Sequence, residues 1–242
     1  MDGRDTGSEA AVRRLVVAVV PARGGSVGFP GKNLAPFLGR PLVAHAVATA
    51  AAAQGVDRVV VSTDDPDIAA AGAAAGAETV RRPDILAAWD SRTVDAVTHA
   101  ATALGLADDT LIVLIQPTSP LRTAADIEEC LALHANRATG SVVQMTTSDE
   151  HHPWKACVLV DGVLRPARDW PDLEAPRQAL PPVLRPTGGV YVVGTGDLRA
   201  HNRFFVPEVL PQVVDPDRAV DIDREDDLVV ARRRAEELGL RG

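Results

Sequence analysis

Apolar positions fall along this chain in short unbroken runs separated by stretches with helical spacing. Residues 15–20 form a continuous, β-branched run stopped by Pro21, the pattern of a strand buried on both faces. Residues 41–53 read as an alanine-rich helix with Leu42, His45, Ala46 and Thr49 on one face, His45 being a packed structural histidine. The spacing predicts a second strand over 56–62, a helix over 67–75 and a short strand over 78–81, broken by Arg82-Pro83. A helix over 93–104 and an apolar strand over 110–115 come next. Thr123 can cap a helix over 124–136, and 141–145 is a further strand. Repetition of strand, loop and helix predicts an α/β fold with a mostly parallel sheet covered by helices on both faces.

The texture changes over 148–186. Prolines 153, 166, 171, 176, 181, 182 and 186 break any helical period, and Trp154 and Trp170 stand among alternating charges. This stretch reads as a small β-rich arm or lid inserted into a domain spanning 13–242. Such an arm buries little on its own, so a homodimer is expected. The chain then returns to the sheet with a strand over 188–193, an extended acidic piece over 220–223 and an amphipathic helix over 225–238. Residues 1–12 lack periodicity and read as a loose tail.

Composition narrows the chemistry. A formal net charge of −8 over 242 residues argues against sequence-independent nucleic-acid binding or attachment to an anionic membrane. It leaves room for an anionic small molecule held by a few local bases. No apolar run reaches the roughly 20 residues of a membrane span, and the short run after Arg13-Arg14 is a poor signal peptide. Cys130 and Cys157 form neither a disulfide framework nor a zinc pattern. A cytoplasmic location is the expectation.

Three predicted strands end in polar clusters. After the first comes Pro21-Ala22-Arg23-Gly24-Gly25-Ser26-Val27-Gly28-Phe29-Pro30-Gly31-Lys32-Asn33, with four glycines and two bases. Glycine lets backbone N–H groups converge on an anion, and Arg23 and Lys32 add full charges. The loop is neither a P-loop nor GxGxxG, and a plain surface loop is its competing reading. Ser62-Thr63-Asp64 and Gln116-Pro117-Thr118-Ser119-Pro120-Leu121-Arg122 follow the other two. Ligands of parallel sheets sit beyond the carboxyl ends of the strands, so these clusters predict a nucleotide site.

Asp221-Ile222-Asp223 is the second focus. In an extended piece both carboxylates face one side, which suits Mg²⁺ beside phosphates; a solvated acidic turn is the alternative. On the arm, Lys155, Arg177 and Arg185 could clamp a carboxylate or phosphate, or lie on a charged surface. In Glu150-His151-His152-Pro153, the adjacent histidines rarely face one metal and have no evident third ligand, and read as positioning or packing groups. Tyr191, Phe204 and Phe205 could line a substrate wall or serve as core aromatics. No nucleophile elbow or Ser-His-Asp order is present, so direct displacement at phosphorus is the chemistry suggested.

In their order and spacing, PARGGSVGFPGKN, VVVSTDDPDIA, RRPDILA, QPTSPLRT, SVVQMTTSDEHHPWK, PRQALPPVLRPTGGVYV, NRFF and VDIDREDDL resemble the acylneuraminate cytidylyltransferase family, from about residue 15 to 238. The resemblance implies a Rossmann-like nucleotidyltransferase domain with a small dimerisation arm. It implies transfer of CMP from CTP to the anomeric hydroxyl of an acidic 2-keto sugar of the nonulosonic type, with release of pyrophosphate. By the same resemblance Ala22, Arg23, Gly24, Ser26, Lys32, Asn33 and Arg82 would bind the nucleotide. Arg23, Lys32 and Asp223 would be catalytic, and Asp221 and Asp223 would bind Mg²⁺. Gln116, Lys155, Arg177, Arg185, Tyr191, Phe204 and Phe205 would face the acidic acceptor. The sequence departs from the family pattern at Val27, Trp89 and Thr187, where Lys, Asp and Asn are usual. An eight-carbon keto-deoxy acid or a phosphonate is the alternative acceptor, and a non-catalytic nucleotide-binding homologue is the rival class.

Overall fold

The computed structural model describes residues 13–26, 28–135, 137–148 and 152–240. The tail 1–12, Val27, Asn136, Glu150 and His151 therefore lie outside the described residues. The strands are β1 Val16–Pro21, β2 Pro36–Phe37, β3 Arg40–Pro41, β4 Arg58–Thr63, β5 Glu78–Arg81, β6 Leu111–Ile115, β7 Ser141–Thr147, β8 Cys157–Val160, β9 Val163–Pro166, β10 Leu184–Gly194 and β11 Val209–Val214. The helices are α1 Leu42–Ala52, α2 Pro66–Ala74, α3 Thr93–Ala103, α4 Ala124–His134, α5 Trp170–Glu174, α6 Thr195–His201 and α7 Glu225–Glu237.

Seven strands make the main sheet, in the order β11-β7-β10-β6-β1-β4-β5. β1 pairs in parallel with both β4 and β6, and β4 with β5. β10 runs antiparallel between β6 and β7, while β11 pairs in parallel with β7 at one edge. The chain winds from β1 outward through β4 to β5, then returns to place β6 on the other side of β1. The reversal between β1 and β6 leaves a crevice beyond their carboxyl ends.

Alternation along β1 explains the two-faced core. Val16, Ala18 and Val20 pack with α1, α2 and α4, through Val43, Val47, Ile68 and Ile127. Val17 and Val19 face the opposite layer, with Val94 and Val97 of α3 and Leu198 of α6. A third cluster joins Phe37, Leu42, Leu121 and Ile222 to Leu228 and Ala231 of α7. Caps set the helix starts: the Asp65 side chain accepts from Asp67 N and Ile68 N, and Thr123 with Asp126 forms a capping box on α4.

The α/β reading and the predicted strand and helix types hold over the first 147 residues, with boundaries shifted by a residue or two. Three features differ beyond that point. β10 begins at Leu184, inside the segment assigned to the arm, and is antiparallel. α6 and β11 occupy a stretch in which the sequence suggests no element. Residues 220–223 belong to no strand, yet Ile222 is buried while Asp221 and Asp223 stand out from it. The arm itself is a β8–β9 hairpin followed by the short α5.

Candidate active site

A cleft of about 490 Å³ opens at the crevice beside β1 and β6. Arg23, Ser26, Lys32, Asn33, Arg82, Gln116, Asp221 and Asp223 all line it. Of the three polar strand ends expected to converge, the glycine loop and Gln116-Pro117-Thr118 line it, whereas Ser62 and Asp64 stand behind, holding Arg82 and Gly24.

Each base is held by its neighbours. Arg23 donates from Nη1 to the Ala88 carbonyl at 2.6 Å, tying the glycine loop to the loop after β5. Asn33 is buried and donates from Nδ2 to the Arg23 carbonyl at 2.9 Å, so in this chain it braces the loop. Asp64 accepts from Gly24 N at 3.1 Å. A Cβ at Gly24 would stand 2.5 Å from Asp65 Oδ2, which explains glycine there. Arg82 is buried against Ser62, donating to its carbonyl at 2.7 Å; burial lowers its pKa, partly offset by nearby Asp64. Lys32 Nζ lies 3.0 Å from Asp223 Oδ1 and so joins the phosphate-loop side of the cleft to the acidic side.

The acidic side rests on Ile222, whose N–H donates to the Thr118 carbonyl at 2.8 Å while its side chain fills the third core cluster. That anchor turns both flanking carboxylates into the cleft. Burial among protein atoms raises the Asp221 pKa, Thr118 opposes the rise by hydrogen bonding, and the charge of Asp223 adds to it. The side chain still opens to solvent along the cleft. Two adjacent carboxylates, Asp223 paired with Lys32 and Asp221 without a salt bridge among the described residues, offer hard oxygens to a divalent cation that takes its remaining ligands from phosphates and water. Among the described residues no group of three or more His, Cys, Asp or Glu forms a metal cage. Cofactor-side ligands would therefore have to come from substrate.

The acceptor-side residues divide. Gln116 lines the cleft. Tyr191, Phe204 and Phe205 do not line it: Tyr191 and Phe204 pack on the second core cluster, and Tyr191 meets Phe204 tilted and Phe205 edge-on at ring-centroid distances of 5.6 and 6.0 Å, its pKa raised by burial first and then by the charge of Asp221. Lys155, Arg177 and Arg185 do not line the cleft. Lys155 donates instead to the Leu173 and Ala175 carbonyls within the arm, and Arg185 to the Ala219 carbonyl at 3.3 Å. Arg177 is exposed in a 3₁₀ turn.

Several cleft residues were not singled out from the sequence: Ser91, Arg92, Thr93 and Arg224. Arg92 bridges Asp95 and the Asn202 carbonyl, the latter at 3.0 Å. Its neighbour Asp90 and the capping position ahead of α3 were the available signals. Buried Arg122 donates to the Gln116 and Ser119 carbonyls at 2.6 and 2.8 Å, shaping the loop after β6; burial pushes its pKa down to about 9. Cys130 is buried with its thiol pushed up to about 12, as befits a bystander.

A doubly wound sheet with a basic glycine loop facing a carboxylate pair across the switch point defines a nucleotidyltransferase type of architecture. Its backbone follows that of a CMP:2-keto-3-deoxy-manno-octonic acid synthetase complexed with CTP, with a TM-score of 0.66 at 20% identity, covering 93% of this chain and 99% of that one. A 4-diphosphocytidyl-2C-methyl-D-erythritol synthase from Anaerococcus prevotii matches with a TM-score of 0.61 at 11% identity, covering 92% of this chain and 99% of that one. Residues 17–160 match the cytidylyltransferase family model, and the chain belongs to that family.

Curated relatives include an 8-amino-3,8-dideoxy-manno-octulosonate cytidylyltransferase of Shewanella loihica, 40% identical over 118 residues, which are 49% of this chain and 46% of that protein. A 3-deoxy-manno-octulosonate cytidylyltransferase of Anaeromyxobacter sp. (strain Fw109-5) is 42% identical over 134 residues, 55% of this chain and 50% of that protein. An N-acylneuraminate cytidylyltransferase of Escherichia coli O18:K1:H7 is 25% identical over 228 residues, 91% of this chain and 52% of that protein. The chain thus spans about half the length of the curated relatives it matches.

Proposed function

We propose that this protein transfers CMP from CTP to the anomeric hydroxyl of an acidic 2-keto sugar of the nonulosonic type, releasing pyrophosphate. The observation that carries the reading is one cleft with Arg23, Lys32 and Arg82 on one side and Asp221 and Asp223 on the other. The bases bind and neutralise the triphosphate, and the glycine-loop N–H groups orient it. The acceptor hydroxyl oxygen forms a bond to the α-phosphorus in line, and the bond from that phosphorus to the bridging oxygen of the β-phosphate breaks. The hydroxyl proton passes to a carboxylate of the Asp221–Asp223 pair or to water beside it. Mg²⁺ held by these two residues supplies charge neutralisation at the phosphates when bound. Gln116 meets the acceptor from the cleft lining, with Tyr191, Phe204 and Phe205 as an apolar flank outside that lining.

The nonulosonic acceptor draws support from the length of one likeness. The alignment to the N-acylneuraminate enzyme takes in 91% of the chain and so reaches into the arm, whereas those to the octulosonate enzymes span 49–55%. The higher identity of the shorter alignments favours an eight-carbon acid as the second reading. We also propose a homodimer joined through the arm. Val158, Leu159, Val163, Leu164 and Trp170 are exposed there, an apolar face that a second copy would cover.

The test is pyrophosphate release with CTP and Mg²⁺ against N-acetylneuraminate, its deaminated analogue, a diamino nonulosonate, an eight-carbon keto-deoxy acid and a hydroxyalkylphosphonate. A nonulosonate is expected to give the strongest signal. Signal with the eight-carbon acid alone would overturn the acceptor and keep the chemistry. CTP binding with silence toward every acceptor would count against the transferase reading.

A further inference from the structure

The register of β7 against β10 shifts between Pro186 and Tyr191, so the single residue Gln144 faces a bulge made by residues 187–190. Gln144 and Thr187 are both buried, at 3% and 2% exposure. The Thr187 hydroxyl donates to Gln144 Oε1 at 2.7 Å and accepts from Gly189 N at 3.0 Å. A Cβ at Gly189 would sit 2.0 Å from Gln144 Oε1, so the amide lies directly against the bulge backbone.

The bulge in turn touches the cleft. Gly188 has φ +78°, and a Cβ on it would stand 2.8 Å from Gln116 Oε1, 2.9 Å from Ser119 Oγ and 3.7 Å from Asp221 Oδ2. Ser119 Oγ donates to the Thr187 carbonyl at 3.0 Å. One backbone feature therefore sets the spacing between an acceptor-side amide and a carboxylate.

Behind the bulge lies a second amide. Gln212 of the edge strand is the register partner of Gln144, is 3% exposed, and donates from Nε2 to Glu129 Oε2 at 2.9 Å. Gln144 Nε2 and Gln212 Oε1 are buried without a hydrogen-bond partner among the described residues. An orphan donor and an orphan acceptor on register-paired residues are complementary. Leaving both unmade would cost stability, since each is desolvated. Buried polar groups thus stand in sequence from Glu129 on α4 and Gln212, hydrogen-bonded to each other, to Gln144, Thr187 and Gly189, hydrogen-bonded through the Thr187 hydroxyl beside the cleft.

We propose that Gln144 is a positioning residue for the acceptor, acting through Thr187 on the bulge that spaces Gln116 from Asp221. This rests on the reading of the cleft as a cytidylyltransferase site. The nucleotide-binding bases Arg23, Lys32 and Arg82 follow β1 and β5, which these residues do not touch, so the loss of Thr187 should weigh more on the acceptor than on CTP.

The experiment compares Thr187→Val, Thr187→Ser and the double variant Gln144→Met/Thr187→Val with the parent. Thr187→Val keeps shape but leaves the Gln144 carbonyl and the Gly189 N–H unpaired. The double variant removes the glutamine amide as well and spares the fold should the single change destabilise it. Acceptor KM is expected to rise about tenfold in Thr187→Val and in the double variant, with CTP KM within about twofold of the parent, and Thr187→Ser to restore it. Equal changes in both KM values, or no change in either, would overturn the proposal. Backbone amide exchange is followed in parallel at Gln116 and Gly189. Faster exchange at both in Thr187→Val, with a parent inert toward every acceptor, would support the positioning line while removing the substrate reading. Unchanged exchange at Gln116 would remove the positioning line whatever the activity.

Discussion

At the carboxyl end of the parallel strands, Arg23, Lys32, Arg82 and Asp221 are each fixed by a partner in the surrounding loops or core, and the strands beneath them are buried on both faces. The 153–183 segment is made differently. Its hairpin residues 157–165 are all exposed, and its bases turn to the arm itself or to solvent: Lys155 to arm carbonyl groups, Arg168 to Asp172 and the Trp154 ring, Arg177 to solvent. The first region is organised by one chain. In the second, the apolar side chains face outward, and Lys155 and Arg177 reach an acceptor only if this arm, or that of a second copy, comes over a cleft. The difference teaches where to look for each half of the proposed activity: the phosphate half in the sheet, the acceptor half in the proposed dimer.

The largest effect expected is on turnover with little effect on fold. Asp223→Ala removes a proposed metal ligand whose side chain is 77% exposed, so turnover should fall by about a thousandfold or more while the melting temperature stays near that of the parent. A rate close to the parent would sink the metal assignment. Next comes Gly188→Ala, which asks a side chain to take φ +78° and stand 2.8 Å from Gln116 Oε1. It should cost about 2 kcal/mol in denaturant unfolding and lower kcat/KM for the acceptor together. Full stability would mean that the bulge is softer than its packing indicates.

The comparison with the arm is sharpened by Leu159→Asp with Leu164→Asp. Both side chains are exposed, at 70% and 58%, so the protomer should keep its folded circular-dichroism spectrum. Sedimentation is expected to show a dimer in the parent and a monomer in the variant, with acceptor KM raised more than CTP KM. A parent that sediments as a monomer at micromolar concentration would remove the arm from the interface.

The smallest effect belongs to the sheet edge. Glu78 is held below its usual carboxylate pKa by the bidentate bonds from Arg58, at 2.8 and 2.7 Å. A depressed folded pKa adds stability above the unfolded value and loses it as pH falls through the folded one. With the pair largely in solvent, the gain is under about 1 kcal/mol. Glu78→Gln should therefore lower stability slightly at neutral pH and not at all once pH has dropped below the folded pKa of Glu78, read by urea unfolding across that range.

The missed elements share a cause. β11, Val209–Val214, carries Pro211 and alternates imperfectly, which marks it as edge or loop; only pairing with β7 makes it a strand. β10 was legible from residue 188 because Val190, Val192 and Val193 are buried, while Leu184–Pro186 takes its strand form from backbone pairing with Thr147, Thr146 and Met145. Gln144 and Gln212 carried no signal, because two polar residues in apolar strands mean nothing until the register sets them side by side. Arg92 likewise became a cleft residue only through the crossing of α3 with the loop after α6.

By itself the sequence determined the layered α/β order, the basic glycine loop after the first strand, the polar strand ends and the paired carboxylates around a buried isoleucine. These rest on local properties: run length, periodicity, glycine and proline. Tertiary structure alone decided which side of β1 receives β6, that β10 enters antiparallel with a bulge, that Lys32 meets Asp223, and that the arm bases lie off the cleft lining. Those are contacts between segments far apart in the chain, selected by how the apolar faces close on one another, and no local pattern encodes them.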